Sequence, residues 1–294
     1  MFIDTSFIYN INITLNNSMK KTIIFFIFSA FTYSSFAQDR VFAYTYQSNV
    51  LDKGVFDLEF HNTLGIGKTG DFSPYIFGQT LNQRLELEFG LGHNLQTAFY
   101  FNSELSTNAT ATSSEMNNEL KISFSNEWKL KLSDPVANIV GSGLYGEFEF
   151  GGNNVEFEGK ILLDKRINKD LFAFNIVGKY EIEKEINHVD NISTADWTHN
   201  SALELYFGYM HFLKPSFSLG LEARNSNIIT KDNGWINSVL FAGPAMHVSI
   251  GKCFILLTAM PQLTNLHKTS SAPGNRDLVN YEAAEISLLV GYDF

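Results

Sequence analysis

The sequence has one cysteine, Cys253, and only six prolines among 294 residues. A single thiol excludes an intrachain disulfide and a cysteine-based zinc site, and its distance from the amino end excludes a lipid-anchored N-terminal cysteine. No run of 18 uncharged apolar residues occurs, which argues against a helical membrane span. Basic residues are scarce, 21 Lys and Arg against 31 Asp and Glu. Nucleic acid is therefore an improbable partner, because binding phosphates needs a basic face. Glycine-rich nucleotide loops, a P-loop and HExxH are also missing.

What is plentiful is aromatic: 27 Phe and 12 Tyr, with 21 Gly, a composition that favours strands. The first organised segment is MKKTIIFFIFSAFTYSSFAQ from Met19. Lys20 and Lys21, the apolar run Ile23 to Phe31, and Ser35-Phe36-Ala37 follow the order of a secretory signal cut before Gln38. The expected division is an upstream extension at 1–18, a signal peptide at 19–37 and a single domain at 38–294, with Met19 as a candidate start. Setting aside the first 37 residues leaves 19 basic against 30 acidic residues, a net charge of −11.

From Val55 onward the chain falls into twelve segments of about ten residues with alternating polarity, the pattern of transmembrane barrels. The spacing predicts strands near 55–64, 82–90, 95–103, 118–131, 137–150, 155–166, 171–186, 200–211, 216–226, 235–249, 252–264 and 280–294. Tight turns at 91–94, 132–136, 167–170, 212–215 and 250–251 alternate with loops at 65–81, 104–117, 187–199, 227–234 and 265–279; 151–154 is the short exception. Short periplasmic turns, longer outer loops and an even strand number are outer-membrane features. Lipid cannot satisfy a free sheet edge, so the last strand must close on the first.

A secreted β-sandwich also alternates. Two features favour the all-β, twelve-stranded, antiparallel up-and-down barrel of the bacterial outer membrane. One is the set of charged residues suited to line a lumen: Asp57, Glu59, Arg84, Glu86, Glu88, Glu147, Glu149, Glu156, Glu158, Lys160, Lys179, Glu181 and Glu183. The other is the ending EISLLVGYDF, whose alternating apolar row runs through Tyr292 to a final Phe294. Such an ending resembles the signal read by the barrel assembly machinery, so Tyr292 and Phe294 are expected to serve assembly. Trp128, Tyr209 and Tyr292 fall near predicted periplasmic strand ends, and Trp197 and Trp235 near outer ones, where interfacial aromatics belong.

The acidic ladder admits two readings, a cation-attracting pore lining or a charge network filling a narrow lumen. Carboxylates two apart could serve glycoside cleavage, but the spacing recurs on several strands, as lumen charge would. The seven histidines lack ligand spacing; His188 and Asp190 could meet a cation, yet solvated loop residues describe them better, and no cofactor or metal is expected. His199, Ser201 and, on the next strand, Asn225 share the predicted lipid face. They resemble the hydrolytic triad of outer-membrane phospholipase A, where His activates Ser and a third group orients His.

The stretch VLDKGVFDLE (50–59) followed by QRLELEFGLGHNLQTA (83–98) resembles the opening hairpins of outer-membrane channels related to the phenol meta-pathway degradation family. Phe89 stands for the usual Tyr, and Gly92-His93-Asn94 for the usual Thr-Asp-Arg. The resemblance implies an outer-membrane transporter. The expectation is a passive channel for small solutes with a net acidic lumen, surrounded by outer-membrane lipid. Two alternatives remain: a lipid hydrolase through His199, Ser201 and Asn225, and a structural or surface-interaction barrel with a blocked lumen.

Overall fold

A computed structural model describes residues 40–68, 78–109, 116–189, 192–230, 234–270 and 272–294, with the side chains of 108–109, 116–117, 185–189 and 192–195 excepted. The expected extension and signal peptide lie outside the described residues. Twelve strands run as β1 (Phe56–Lys68), β2 (Gly78–Gly92), β3 (Leu95–Ala109), β4 (Met116–Ser133), β5 (Gly141–Gly151), β6 (Asn154–Ile167), β7 (Asp170–Val189), β8 (Ile192–Lys214), β9 (Phe217–Thr230), β10 (Gly234–Ile250), β11 (Cys253–Asn265) and β12 (Ala284–Asp293). Each pairs antiparallel with its sequence neighbours, and β1 pairs with β12 in a register running from Asp57↔Asp293 to Ile66↔Ala284. The sheet is thus a closed barrel without a free edge.

Period-two alternation assigns the two faces. Along β12, Ile286, Leu288 and Val290 are exposed while Glu285, Ser287 and Leu289 are buried. Phe56, Leu58 and Phe60 on β1, Phe99 and Phe101 on β3, and Leu120, Ile122 and Phe124 on β4 are likewise exposed. Rings meet across this outer face, as in Phe101–Phe124 at 5.4 Å and Phe148–Phe157 at 5.0 Å. An apolar belt this continuous is solvated well by hydrocarbon and poorly by water. Trp128, Trp197 and Trp235 are exposed on its flanks.

Several expected boundaries move. Most of 104–117, 187–199 and 227–234, expected as loops, is strand; β7 reaches Val189 and β8 begins at Ile192. These extensions exceed the roughly 9–11 residues that cross a bilayer, so they have no lipid to face and show no apolar alternation. Conversely, 137–140 is turn, because Asp134 gathers the amides of Val136 and Ala137 (2.8 and 3.0 Å) and Ser133 ends β4. Residues 266–283 form a long connection that partly folds inward: Tyr281 is buried against Val239, Phe241 and Met260, and its hydroxyl donates to Asn237 (2.7 Å).

Candidate functional site

The decisive feature is the segment before β1. RVFAYTYQSN, residues 40–49, is neither strand nor helix, yet Val41, Phe42, Thr45, Tyr46 and Ser48 are buried. Its partners lie on widely separated strands, a circle only the interior of the barrel can provide. The Glu222 carboxylate on β9 accepts three successive amides, from Ala43 (3.1 Å), Tyr44 (3.0 Å) and Thr45 (2.8 Å), and also the Thr258 hydroxyl (2.8 Å). On β7, Asn175 accepts from the Tyr46 amide (2.7 Å) and donates to the Tyr46 carbonyl (2.8 Å). Asp164 accepts from the Ser48 amide (3.3 Å) and Gln96 from the Leu51 amide (2.9 Å).

Buried amides must find acceptors, and here side chains of the wall replace a strand partner. Apolar contacts add to this. Phe42 and Val41 pack with Leu171, Ala173, Met210, Phe212 and Ala245, all buried inside the barrel. Gly208 makes room: a Cβ there would lie 2.7 Å from the Phe42 ring.

Arg40 carries the electrostatics of the segment. Its guanidinium donates to the Phe42 and Ala43 carbonyls (3.0 and 3.1 Å), lies 3.3 Å from Glu59 and 4.0 Å from Glu86, and covers the Tyr46 ring at 4.1 Å. His61 approaches the same two carboxylates at 2.8 and 3.2 Å. Tyr46 is also met by Lys160, 3.9 Å from its ring centroid.

The other expected charged residues form further knots. Arg84 lies over Tyr100 (4.4 Å), donates to Asn102 (3.1 Å) and is 3.8 Å from Glu147. Glu149 accepts from Asn102 and Ser125, at 3.3 and 3.1 Å. Glu158 holds Lys160 at 2.7 Å and Lys179 at 2.9 Å, with Glu156 3.8 Å from Lys179. Glu181 and Glu183 accept from Asn154 (3.4 Å) and Asn153 (3.2 Å). Asp57 and Glu88 are buried opposite one another on β1 and β2.

Above the segment opens a cavity of 820 Å³. Arg40, Ala43, Tyr44 and Tyr46 floor it, and residues of β1 to β8 with Ser287 of β12 wall it, Leu120 and Ile122 at its rim. Seven glutamates line it, Glu104, Glu119, Glu147, Glu149, Glu156, Glu158 and Glu181, against five Lys and Arg side chains.

The His199, Ser201 and Asn225 expectation is corrected. Ser201 pairs with Ile229, whereas Asn225 pairs with Leu205. Four positions along a strand amount to roughly 13 Å, beyond hydrogen-bond reach. Asn225 instead donates to Ser238 and Val239, and His199 is bonded through Nδ1 to the Tyr180 hydroxyl at 3.0 Å.

A model of the family described as a family of unknown function, DUF6662, matches residues 34–294. The chain belongs to DUF6662. That match does not confirm the resemblance to the phenol meta-pathway degradation family. No curated protein matches the sequence. This DUF6662 barrel is similar in structure to the COG4313 outer membrane channel from Pseudomonas putida F1, with TM-score 0.54 and 11% identity over 84% of this chain and 98% of that one. It is also similar to the β domain of the Bordetella autotransporter Brka, with TM-score 0.52 and 10% identity over 83% and 100% of the two chains. At such identities the likeness is one of fold.

Sequence reasoning missed Glu222, Asn175, Asp164 and Gln96 as the seat of the segment. The overlooked signal is apolar residues at expected inward positions. Leu171, Ala173, Met210 and Phe212 need a partner inside the barrel, and RVFAYTYQ supplies one.

Proposed function

We propose that this DUF6662 chain is a gated outer-membrane channel whose exit is closed by residues 40–49 and whose open state passes small cationic or neutral solutes. The carrying observation is the 820 Å³ polar cavity floored by Arg40, Ala43, Tyr44 and Tyr46 inside a closed wall with an apolar exterior. The acidic excess of its lining favours cations. The COG4313 relative, an outer membrane channel by its description, supports the same reading. Export through residues 19–37 and insertion through the strand ending in Tyr292 and Phe294 complete the proposal.

Single-channel recording in planar bilayers tests it. The full chain is expected to stay mostly closed, and a chain lacking residues 40–49 to conduct with cation preference that falls in Glu156→Gln and Glu181→Gln. A truncated barrel that folds, judged by heat-modifiable gel mobility, yet never conducts would sink the channel reading. That outcome supports the second reading, a surface-interaction barrel, which the inward packing of Tyr281 beside the filled lumen favours.

A further inference from the structure

Two inner rows of the wall concentrate carboxylates beneath the segment, where Arg40 reaches only Glu86, at 4.0 Å. Alternation in LELEF turns Glu86 and Glu88 to the same face. Across the sheet, Glu88 pairs with Ala98 on β3, and Ala98 pairs with Glu127 on β4. Ala98 is fully buried and small, so the two carboxylates converge over it from strands on either side.

One oxygen each of Glu86, Glu88 and Glu127 lies within 4.8 Å of the others. Glu86 and Glu127 are fully buried, and Oε1 of each has no hydrogen-bond partner. A buried carboxylate oxygen without a donor is costly. Nearby cations are shared with other partners: His61 and Arg40 stand 3.2 and 4.0 Å from Glu86 Oε2 but closer to Glu59, and Arg84 faces Asn102 and Glu147. Lys129 acts on both Glu88 and Glu127.

We propose that Glu86, Glu88 and Glu127 form a site for one calcium-like divalent cation, set into the wall between β2 and β4. Oxygen-only ligands select hard cations over zinc or copper. Calcium takes oxygens at about 2.3–2.6 Å, so ligands on opposite sides of the ion stand up to roughly 5 Å apart. The oxygens, all within 4.8 Å of one another, fit that span, whereas magnesium demands near-ideal octahedral geometry and keeps several waters, so an all-protein carboxylate set suits it less well. Water completes the shell. The Tyr100 hydroxyl, which donates to Glu127 Oε2, fixes one ligand's orientation. The site is independent of the channel reading.

The full chain in detergent, titrated with Tb3+ and excited through its tyrosines, provides the test, since Tyr100 touches a ligand. Saturable luminescence displaced by Ca2+ at lower concentration than by Mg2+ is expected. Glu86→Gln and Glu127→Gln should each weaken Tb3+ binding at least about tenfold, with Asp134→Asn in the β4–β5 turn as an unchanged control. Absence of saturable binding by the native chain overturns the proposal, as does a signal undiminished in folded Glu86→Gln or Glu127→Gln. If both variants fail to fold, the thermal midpoint of the native chain decides: a rise with added Ca2+ but not Mg2+ supports the site, and no rise overturns it.

Discussion

The ring of Phe294 lies 4.6 Å from that of Phe56, tilted by only 20°, and the Phe294 amide donates to the Phe56 carbonyl at 3.1 Å. The last residue thus clips the seam at which β12 meets β1. Tyr292 stands edge-on to the same ring at 4.8 Å. Such ring pairs contribute about 0.5–1.5 kcal/mol each beyond burial. Deleting Phe294 is expected to lower the yield of heat-modifiable barrel in the outer membrane while export from the cytoplasm continues. Equal yields for Phe294→Ala and the native chain would remove the assembly role.

Glu222 is the main holding point of the inner segment. Glu222→Ala leaves the amides of Ala43, Tyr44 and Thr45 without their acceptor, at about 1–3 kcal/mol for each group left unsatisfied. In a Cys253→Ser background, a thiol introduced by Ser48→Cys should react with a maleimide much faster once Glu222 is lost. Glu222→Gln, which keeps one carbonyl acceptor, should fall between. Identical rates across the three would place the hold elsewhere.

Gly208 is expected to tolerate no side chain while Phe42 remains. Gly208→Ala should destabilise by about 1–3 kcal/mol, as overpacked cores do. Combined with Phe42→Ala, most of that loss should disappear, a coupling that a double-mutant cycle in urea reads directly. Additive losses would mean that the ring moves aside freely.

In the β4–β5 turn, the Asp134 carboxyl is held down to about 2, first by Lys131 at 2.7 Å and then by the amides of Ala137 and Val136. A folded value below the unfolded one adds stability above the unfolded pKa, near 3.8. That stability is lost as pH falls through about 2. Asp134 is solvent-exposed, so the effect is small. Thermal midpoints measured from pH 5 to 2 should fall less steeply in Asp134→Asn than in the native chain.

Strand number, closure and the seam were legible because alternation with period two survives wherever one face meets lipid. Phe56, Leu58 and Phe60 announce themselves in this way. The reach of β7 and β8 was not legible, since a strand beyond the bilayer has no apolar face, and 187–199 therefore reads as loop. Nor was the inner segment, because nothing local in RVFAYTYQSN specifies its shape. Its hydrogen bonds are supplied by residues 96, 164, 175 and 222, which only closure of the barrel brings together. Asn225 failed for a related reason: a face is set by parity, but height along a strand is set by register, which the turn at Pro215 and Ser216 fixes.

The wall reads residues 43–51 largely by their main chain. Glu222, Asn175, Asp164 and Gln96 engage amides, and the Thr45 hydroxyl, though buried, meets no partner. What such a seat rejects is proline, which has no amide hydrogen to offer; at 43, 44, 45, 46, 48 and 51 most other small residues present the same donor. A proline at any of these six positions would leave its wall acceptor without a donor, whatever its ring packed against.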